Sequence, residues 1–409
     1  MKITSVPTAV YLDASATERA FNQYVLTYSS SIPLKGEITY TDMSDGNSPS
    51  RSETFFLEAG DNVTFSSYTD NYLNHQLATE VTCITVSSIP TAACPAPEGD
   101  FVLWSFALNI CPVLAEKTYF FESDRYRVGV ELCWGGGLSY LLDKKCPVEG
   151  LGNLLNNYDT GRLIQQSYYG TNQPPYELGE FMGNKWCYNP VQGGDRGNHK
   201  SKLVDAKISD GEVYVKCRPR DWGHDGGNTF AYMENWYRLD GDYLAVDNRF
   251  VDFSGYSHPM AGQEVPAFYT VSYLNNYYWY DGDQPWTNQP LSVKSDLPFW
   301  PDDWPYCTFI PKENNTEVWS AFVDDGGYGL GLYTPNIHHT IAGRHQYDGS
   351  MDPAAASCNY IAPLAKKQII CFEPITYSYL ITAGQLSDIR AAFTARKDEI
   401  LNERLNDIQ

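Results

Sequence analysis

The sequence predicts an all-β protein, and three observations carry that expectation. Short runs rich in Val, Ile, Thr, Tyr and Phe recur along most of the chain, separated by Gly, Asp, Asn, Ser and Pro. Helix-like and strand-like segments do not alternate, which argues against a parallel α/β sheet. Apolar residues recur at helical spacing in one stretch only, at the C-terminus. Over residues 1–112 the runs AVYLDAS, NQYVLTYSS, GEITYTD, SETFFLE, NVTFSSY and ATEVTCITVSS predict an N-terminal β-sandwich, an accessory domain. CPAPEGD, Cys94–Asp100, breaks the pattern and reads as the start of a junction.

Residues 113–409 predict longer strands with more aromatic side chains. RYRVGVELCWGGGLSYLLD reads as strand, glycine turn and strand. GEVYVKCRP, AYMENWYRLDGDYLAVDNRFVDF and AFYTVSYLNNYYWY read as strands of a large antiparallel sheet, with a hairpin turn at Asp240–Gly241. LSDIRAAFTARKDEILNERL predicts the one helix. Ser387 is placed to cap it, and Ile389, Ala392, Phe393, Ile400 and Leu401 form the face that packs on the outside of the sheet.

The bulk numbers narrow the function. The 409-residue chain carries 29 basic and 50 acidic residues, a formal charge of −21. That balance repels nucleic acid and anionic membranes, and no Lys/Arg cluster in the sequence offsets it. No run approaches the roughly 18 apolar residues of a membrane span. MKITSVPTAVYLDAS lacks the apolar stretch of a secretory signal, which reads as a cytoplasmic chain or a secreted one already trimmed. The ten cysteines show no zinc-type spacing and many sit in strand-like runs, so free, buried thiols are expected. HHTIAGRH lacks the spacing of a helical zinc site, and nucleophile-elbow, phosphate-loop and dinucleotide fingerprints are absent. No metal and no cofactor is expected; homo-oligomerisation stays open.

Three polar segments interrupt the β-rich background: Asn153–Gly170, Tyr188–Asp195 and Gly262–Tyr269. Each mixes carboxylates, amides, Arg or aromatics with Gly or Pro, as loops and strand ends that hold a ligand do. Glu264, beside Val265, Pro266, Ala267 and Phe268, would be desolvated, which suits a general acid; the alternative is a surface Glu on a strand edge. Asp195 ends a QGGD segment, where two glycines allow close approach of a ligand or simply a turn. Glu234 shares a strand face with Tyr232 and Trp236, lining a concave face or a solvated one. Arg162, Gln165 and Gln166, with Tyr158, Asp159, Tyr168 and Tyr169, form the densest polar cluster; with Gln192 and Gln263 they are candidates for reading hydroxyls and carboxylates, and an Asp159–Arg162 pair that anchors a loop is the alternative. His224, His258, His338, His339 and His345 are the remaining titrating candidates, of which His224 or His258 is the proton donor or base. Trp222 and Trp279 could stack on sugar rings, and the Pro-punctuated loops with Trp286, Trp300 and Trp304 fit either stacking or plain packing.

The succession RVGVELCWGGGLSYLLD, NLLNNYDTGR, NPVQGGD, ENWYRLDGDYLAVDNRFVD and QEVPAFY, from Tyr126 to Asp281, resembles the galactose mutarotase-like superfamily of carbohydrate-active enzymes. IQQSYY and CYNPVQGGD also resemble segments of uncharacterised bacterial members. The resemblance implies a large antiparallel β-supersandwich after the N-terminal sandwich, and an oligo- or polysaccharide substrate. Epimerases, glycoside hydrolases and polysaccharide lyases share that fold, so it does not choose a reaction. Its epimerases pair a late Glu with a mid-chain His. Glu264 fits the first, and no His stands in a matching motif. The expectation is a glycoside hydrolase in which Glu264 is general acid and Asp195 base or nucleophile, with Glu234 as substitute. A lyase using Tyr168 or a His as base, and a non-catalytic carbohydrate-binding protein, are the alternatives.

Overall fold

The computed structural model describes residues 1–10, 20–42, 50–114, 116–173, 176–209, 211–256, 258–295, 297–298, 306–346 and 348–398. Nearly all of its regular structure is antiparallel β-sheet. Two four-stranded sheets form the N-terminal sandwich. Five predicted runs supply the strands Gln23–Ser30, Leu34–Asp42, Ser50–Leu57, Gly60–Tyr68 and Ala78–Ser88. In the first of these, inward and outward positions alternate strictly, so Tyr24, Leu26 and Tyr28 enter the core. AVYLDAS reaches the strand Thr8–Val10, and its remainder lies outside the described residues. Past CPAPEGD the sandwich continues, because Gly99–Asn109 pairs with Gln23–Ser30. That strand, GDFVLWSFALN, exposes Val102 and Trp104 on its outer face, so its composition hides the period of two.

The rest of the chain is built on two large sheets, of nine and seven strands, with a three-stranded sheet beside them. The predicted hairpin is present, pairing Ala231–Asp240 with Tyr243–Asp252 in the nine-stranded sheet. The seven-stranded sheet runs in the spatial order Arg220–Asp221, Pro190–Val191, Gln165–Ser167, Met260–Val271, Cys358–Gln368, His339–His345 and Cys307–Phe309. One core joins the two sheets: Tyr168, Phe268 and Ile361 from one meet Val246, Phe250 and Leu330 from the other. Tyr168 stacks on Phe250 with ring centroids 4.1 Å apart.

The sandwich core runs on into the nine-stranded sheet through Val204, Tyr232, Val251 and Phe253. Phe56 N–H donates to Tyr232 Oη at 2.9 Å, and Phe56 stacks on Phe253. Arg249 bridges the same boundary. Its Nη1 lies 2.6 Å from Glu234 Oε2 and 3.0 Å from Glu58 Oε1. Burial alone would push the Glu234 carboxyl up, but Lys216 and Arg249 outweigh it and hold it below its ordinary range.

The helix spans Leu386–Arg396; the predicted continuation over residues 399–405, with Ile400 and Leu401, lies outside the described residues. Gln385, extended at φ −65° and ψ 147°, holds the capping position without a side-chain bond, so Ser387 lies in the first turn and does not cap it. Ile389 and Phe393 are buried on Trp319, Tyr333 and Leu380. A Cβ on Gly331 would sit 2.5 Å from Ile389 Cγ2, so the helix docks where the strand has no side chain. Buried Glu317 fixes the helix by accepting from Arg390 Nε at 2.7 Å. The cysteines are free thiols, but only Cys217 and Cys358 are buried; Cys94 is exposed and the rest are half-buried.

Replacing Arg249 by Ala strands Glu234 and Glu58 at the sandwich boundary, so stability should fall by about 3–5 kcal/mol. Urea unfolding measures it; a loss below about 1 kcal/mol, the range of an exposed ion pair, would show that the bridge is not a structural anchor.

Candidate functional site

A cavity of about 570 Å³ opens on the outer face of the seven-stranded sheet, away from the core. Strand parity decides which side chains reach it, since successive residues point to opposite faces. Gln165, Ser167 and Tyr169 line the cavity, while Gln166 and Tyr168 are buried on the other side. Along Met260–Val271, Gly262 and Glu264 line the cavity; then the register slips, with Glu264 opposite Leu364 but Phe268 opposite Ile361. Three residues, Val265–Ala267, therefore face two on the neighbouring strand. Beyond the slip Ala267 and Tyr269 take over the cavity face, and Val265 and Phe268 enter the core. Tyr360 and Leu364 come from the next strand, and Ile341 and His345 from the one after it.

Loops and a small hairpin complete the walls. Asp159, Gly161 and Arg162 close one side. The hairpin of Gly179–Phe181 and Asn184–Trp186 brings Phe181, Met182 and Trp186 to the rim, where Phe181 packs edge-on against both Trp186 and Trp222. Trp222 lies so close to the loop that a Cβ on Gly161 would come 2.6 Å from its ring.

Glu264 is 7 % exposed. Its Oε1 accepts the Tyr169 hydroxyl at 3.0 Å and the Tyr360 hydroxyl, and the Ser167 hydroxyl is a third partner. No cation lies within ion-pair distance of it among the described residues. Burial pushes its carboxyl up, and the three hydroxyl donors reverse only part of that rise. Asp159 is the second carboxyl in the cavity. It accepts Gly161 N–H at 3.0 Å and lies 3.4 Å from Arg162 Nε. Burial pushes it up as well, with Arg162 the main opposing influence. Tyr269 feels the field of both carboxylates. His345 is pushed down by burial and then by Arg162, so its imidazole favours the neutral form.

Of the residues singled out in the sequence, Glu264, Arg162 and Trp222 line this cavity, as do Asp159, Gln165, Tyr169 and His345. The other described candidates do not. Asp195 is fully buried and locked in a turn: its carboxylate accepts Gly197 N–H at 2.9 Å, His199 N–H at 3.0 Å and Gly226 N–H at 2.6 Å. Both glycines of the QGGD segment approach protein and not an open cleft, since a Cβ on Gly193 would lie 2.2 Å from Thr160 O and one on Gly194 2.3 Å from His199 O. Glu234 belongs to the Arg249 bridge. Gln166 donates to Glu234 O and Asn235 Oδ1, Tyr168 donates to Gln166 Oε1, and Gln192 donates to Gly135 O. Gln263 donates to Tyr169 O and Lys367 O. His258 is buried, accepting Thr171 N–H on Nδ1. His224 Nε2 lies 2.7 Å from Glu177 O, and Trp279 packs on Tyr277 and Phe309. Trp300 and Trp304 lie outside the described residues.

The sequence groups Asp159, Gln165 and Tyr169 with Arg162 in one polar cluster and counts His345 among its titrating side chains, without choosing any of the four as catalytic; Tyr360 carries no motif and was not selected. His345 had a signal, since a period of two from Ile341 places both on one strand face.

Glu264 also makes a prediction about stability. Its folded-state pKa is raised, so its contribution is fully present below the ordinary carboxylate value of about 4.3 and is lost as pH rises through the raised value. Unfolding free energies of the wild type should therefore decline over that window relative to Glu264→Gln. Parallel curves for the two proteins would mean that Glu264 ionises without resistance.

No protein-family model and no curated protein matches the sequence. Some solved structures show a low-similarity likeness to it. A galactose mutarotase related enzyme from Lactobacillus acidophilus is 10% identical over 65% of this chain and 97% of its own, with a TM-score of 0.39. An alpha-mannosidase from Enterococcus faecalis V583 is 10% identical over 95% of this chain but 46% of its own, with a TM-score of 0.38. The GH36 alpha-galactosidase AgaB from Geobacillus stearothermophilus is 9% identical over 66% of this chain and 40% of its own, with a TM-score of 0.36. The activities in those names belong to those proteins.

Proposed function

We propose that this protein is a carbohydrate-active enzyme, and most specifically a glycoside hydrolase that uses Glu264 as general acid and Asp159 as the opposing carboxylate. One observation carries the reading: a buried carboxyl with hydroxyl partners only, in an aromatic-walled cavity that holds a second carboxyl beside an arginine. Burial keeps Glu264 protonated to higher pH than an ordinary carboxyl, so it has a proton to give to a departing glycosidic oxygen. Asp159, held by Arg162, takes the role first expected of Asp195: it activates water or meets the anomeric carbon as positive charge develops there. Trp186, Trp222 and Tyr269 offer flat faces to the C–H side of a sugar ring, while Arg162 can read its hydroxyls. A volume of about 570 Å³ is of the size that ordinary small-molecule sites have, so a short saccharide or a chain end fits it.

His345 favours a second reading. A neutral imidazole in the same cavity as Glu264 supplies the acid–base pair that anomer interconversion needs. A lyase is less well provided for, because burial pushes the Tyr169 hydroxyl further from ionisation, and Tyr168 lies on the core side.

A glycan panel read by reducing ends, ultraviolet absorbance and anomer ratio separates these reactions. The hydrolase reading expects new reducing ends, and a drop of about 10²–10⁴-fold in kcat for both Glu264→Gln and Asp159→Asn. It also expects kcat/KM to fall as pH rises through the raised Glu264 pKa. Wild-type cleavage by both variants would end it. Anomer interconversion without cleavage, lost in His345→Gln, would establish the second reading instead.

A further inference from the structure

A second cavity, of about 540 Å³, lies between the N-terminal sandwich and the nine-stranded sheet. Its lining holds five basic side chains and two acidic ones, in a chain whose formal charge is −21. Both acids are already engaged by one base: Lys202 Nζ lies 2.8 Å from Asp70 Oδ1 and bonds to Glu53. Four cations remain: Lys117, Lys200, Arg218 and Arg220.

The two arginines are fixed without being neutralised. Arg218, 8 % exposed, donates from Nε to Thr229 O at 2.8 Å and from Nη1 to Thr54 O at 3.2 Å. Arg220 donates from Nε to Lys200 O at 3.0 Å and from Nη1 to Gly226 O at 2.6 Å. Neither has a carboxylate within ion-pair distance among the described residues. Burial works against the charge of both. Carbonyl oxygens orient a guanidinium but bring no formal negative charge. Two partly desolvated guanidinium groups therefore face a polar cavity with charge and donors to spare, and planar forks of this kind match the oxygens of a carboxylate, phosphate or sulfate.

We propose that this cavity binds a small oxyanion, either free or carried on a sugar, through Arg218, Arg220, Lys200 and Lys117. Asn74 and Asn228 add neutral donors for hydroxyls on the same molecule. The site is separate from the Glu264 cavity and does not depend on the reading of that cavity.

Isothermal titration of the full-length protein tests it, with inorganic phosphate, inorganic sulfate, a hexose 6-phosphate and a hexuronate as probes. At least one probe should bind saturably, more weakly at higher ionic strength. Lys200→Gln and Arg220→Gln should each weaken that binding about tenfold or more, while Glu264→Gln leaves it unchanged. Lys117→Gln, at an exposed position, provides a third variant that should fold normally. A free ion binding more tightly than the sugar-borne one identifies an inorganic ligand, and the reverse order identifies an acidic sugar. The proposal is overturned if no probe binds below about 10 mM, or if the wild-type affinity survives the Lys200 and Lys117 substitutions in folded protein.

Discussion

The strand Met260–Val271 imposes the constraint on which the rest of the molecule depends. It lies inside the seven-stranded sheet, with one face in the shared core and the other toward the cavity. A strand so placed has no freedom to choose which residues are wet, because a shift of one position exchanges its two faces. The slip after Glu264 uses that rule locally. It lets Val265 and Phe268 both serve the core, and still returns Tyr269 to the side of Glu264. A regular strand with Val265 in the core would have sent Phe268 outward.

Five buried carboxylates can be compared by their partners. Glu234 is held by Arg249 and Lys216, Glu317 by Arg390, and Glu53 by Lys202. Asp195 receives backbone N–H groups as an anchored turn does. Each of these meets a cation or backbone N–H donors. Glu264 alone among these five has only hydroxyl partners, which solvate either protonation state. Perturbed carboxyls of that kind, facing a cleft, are the ones that point to function.

Much of the fold was legible in the sequence, because turn residues and β-branched runs are local signals. The strands from Gln23 to Ser88 and the Asp240–Gly241 hairpin are of this kind. Gly99–Asn109 was hidden by apolar residues on its exposed face, and the helix cap by an extended Gln385 that makes no side-chain capping bond. The site was legible as a neighbourhood and not as a set of side chains. The segments Asn153–Gly170, Tyr188–Asp195 and Gly262–Tyr269 all contribute to the cavity. Within them, the sequence could not separate Gln165 and Tyr169, which face the cavity, from Gln166 and Tyr168, which face the core, since both faces of that strand carry polar and aromatic groups. Tyr360 could not be found at all, because it reaches Glu264 from a distant strand by register alone.

The join between the sandwich and the nine-stranded sheet has a practical corollary. Phe56, Tyr232 and Phe253 are mutual neighbours across it, and Arg249 has a carboxylate on each side. A recombinant fragment starting after the sandwich would present wet rings and a half-empty guanidinium clamp along one flank. Clumping of such a fragment would describe the cut surface, and would say nothing of the Glu264 cavity it was trimmed to isolate.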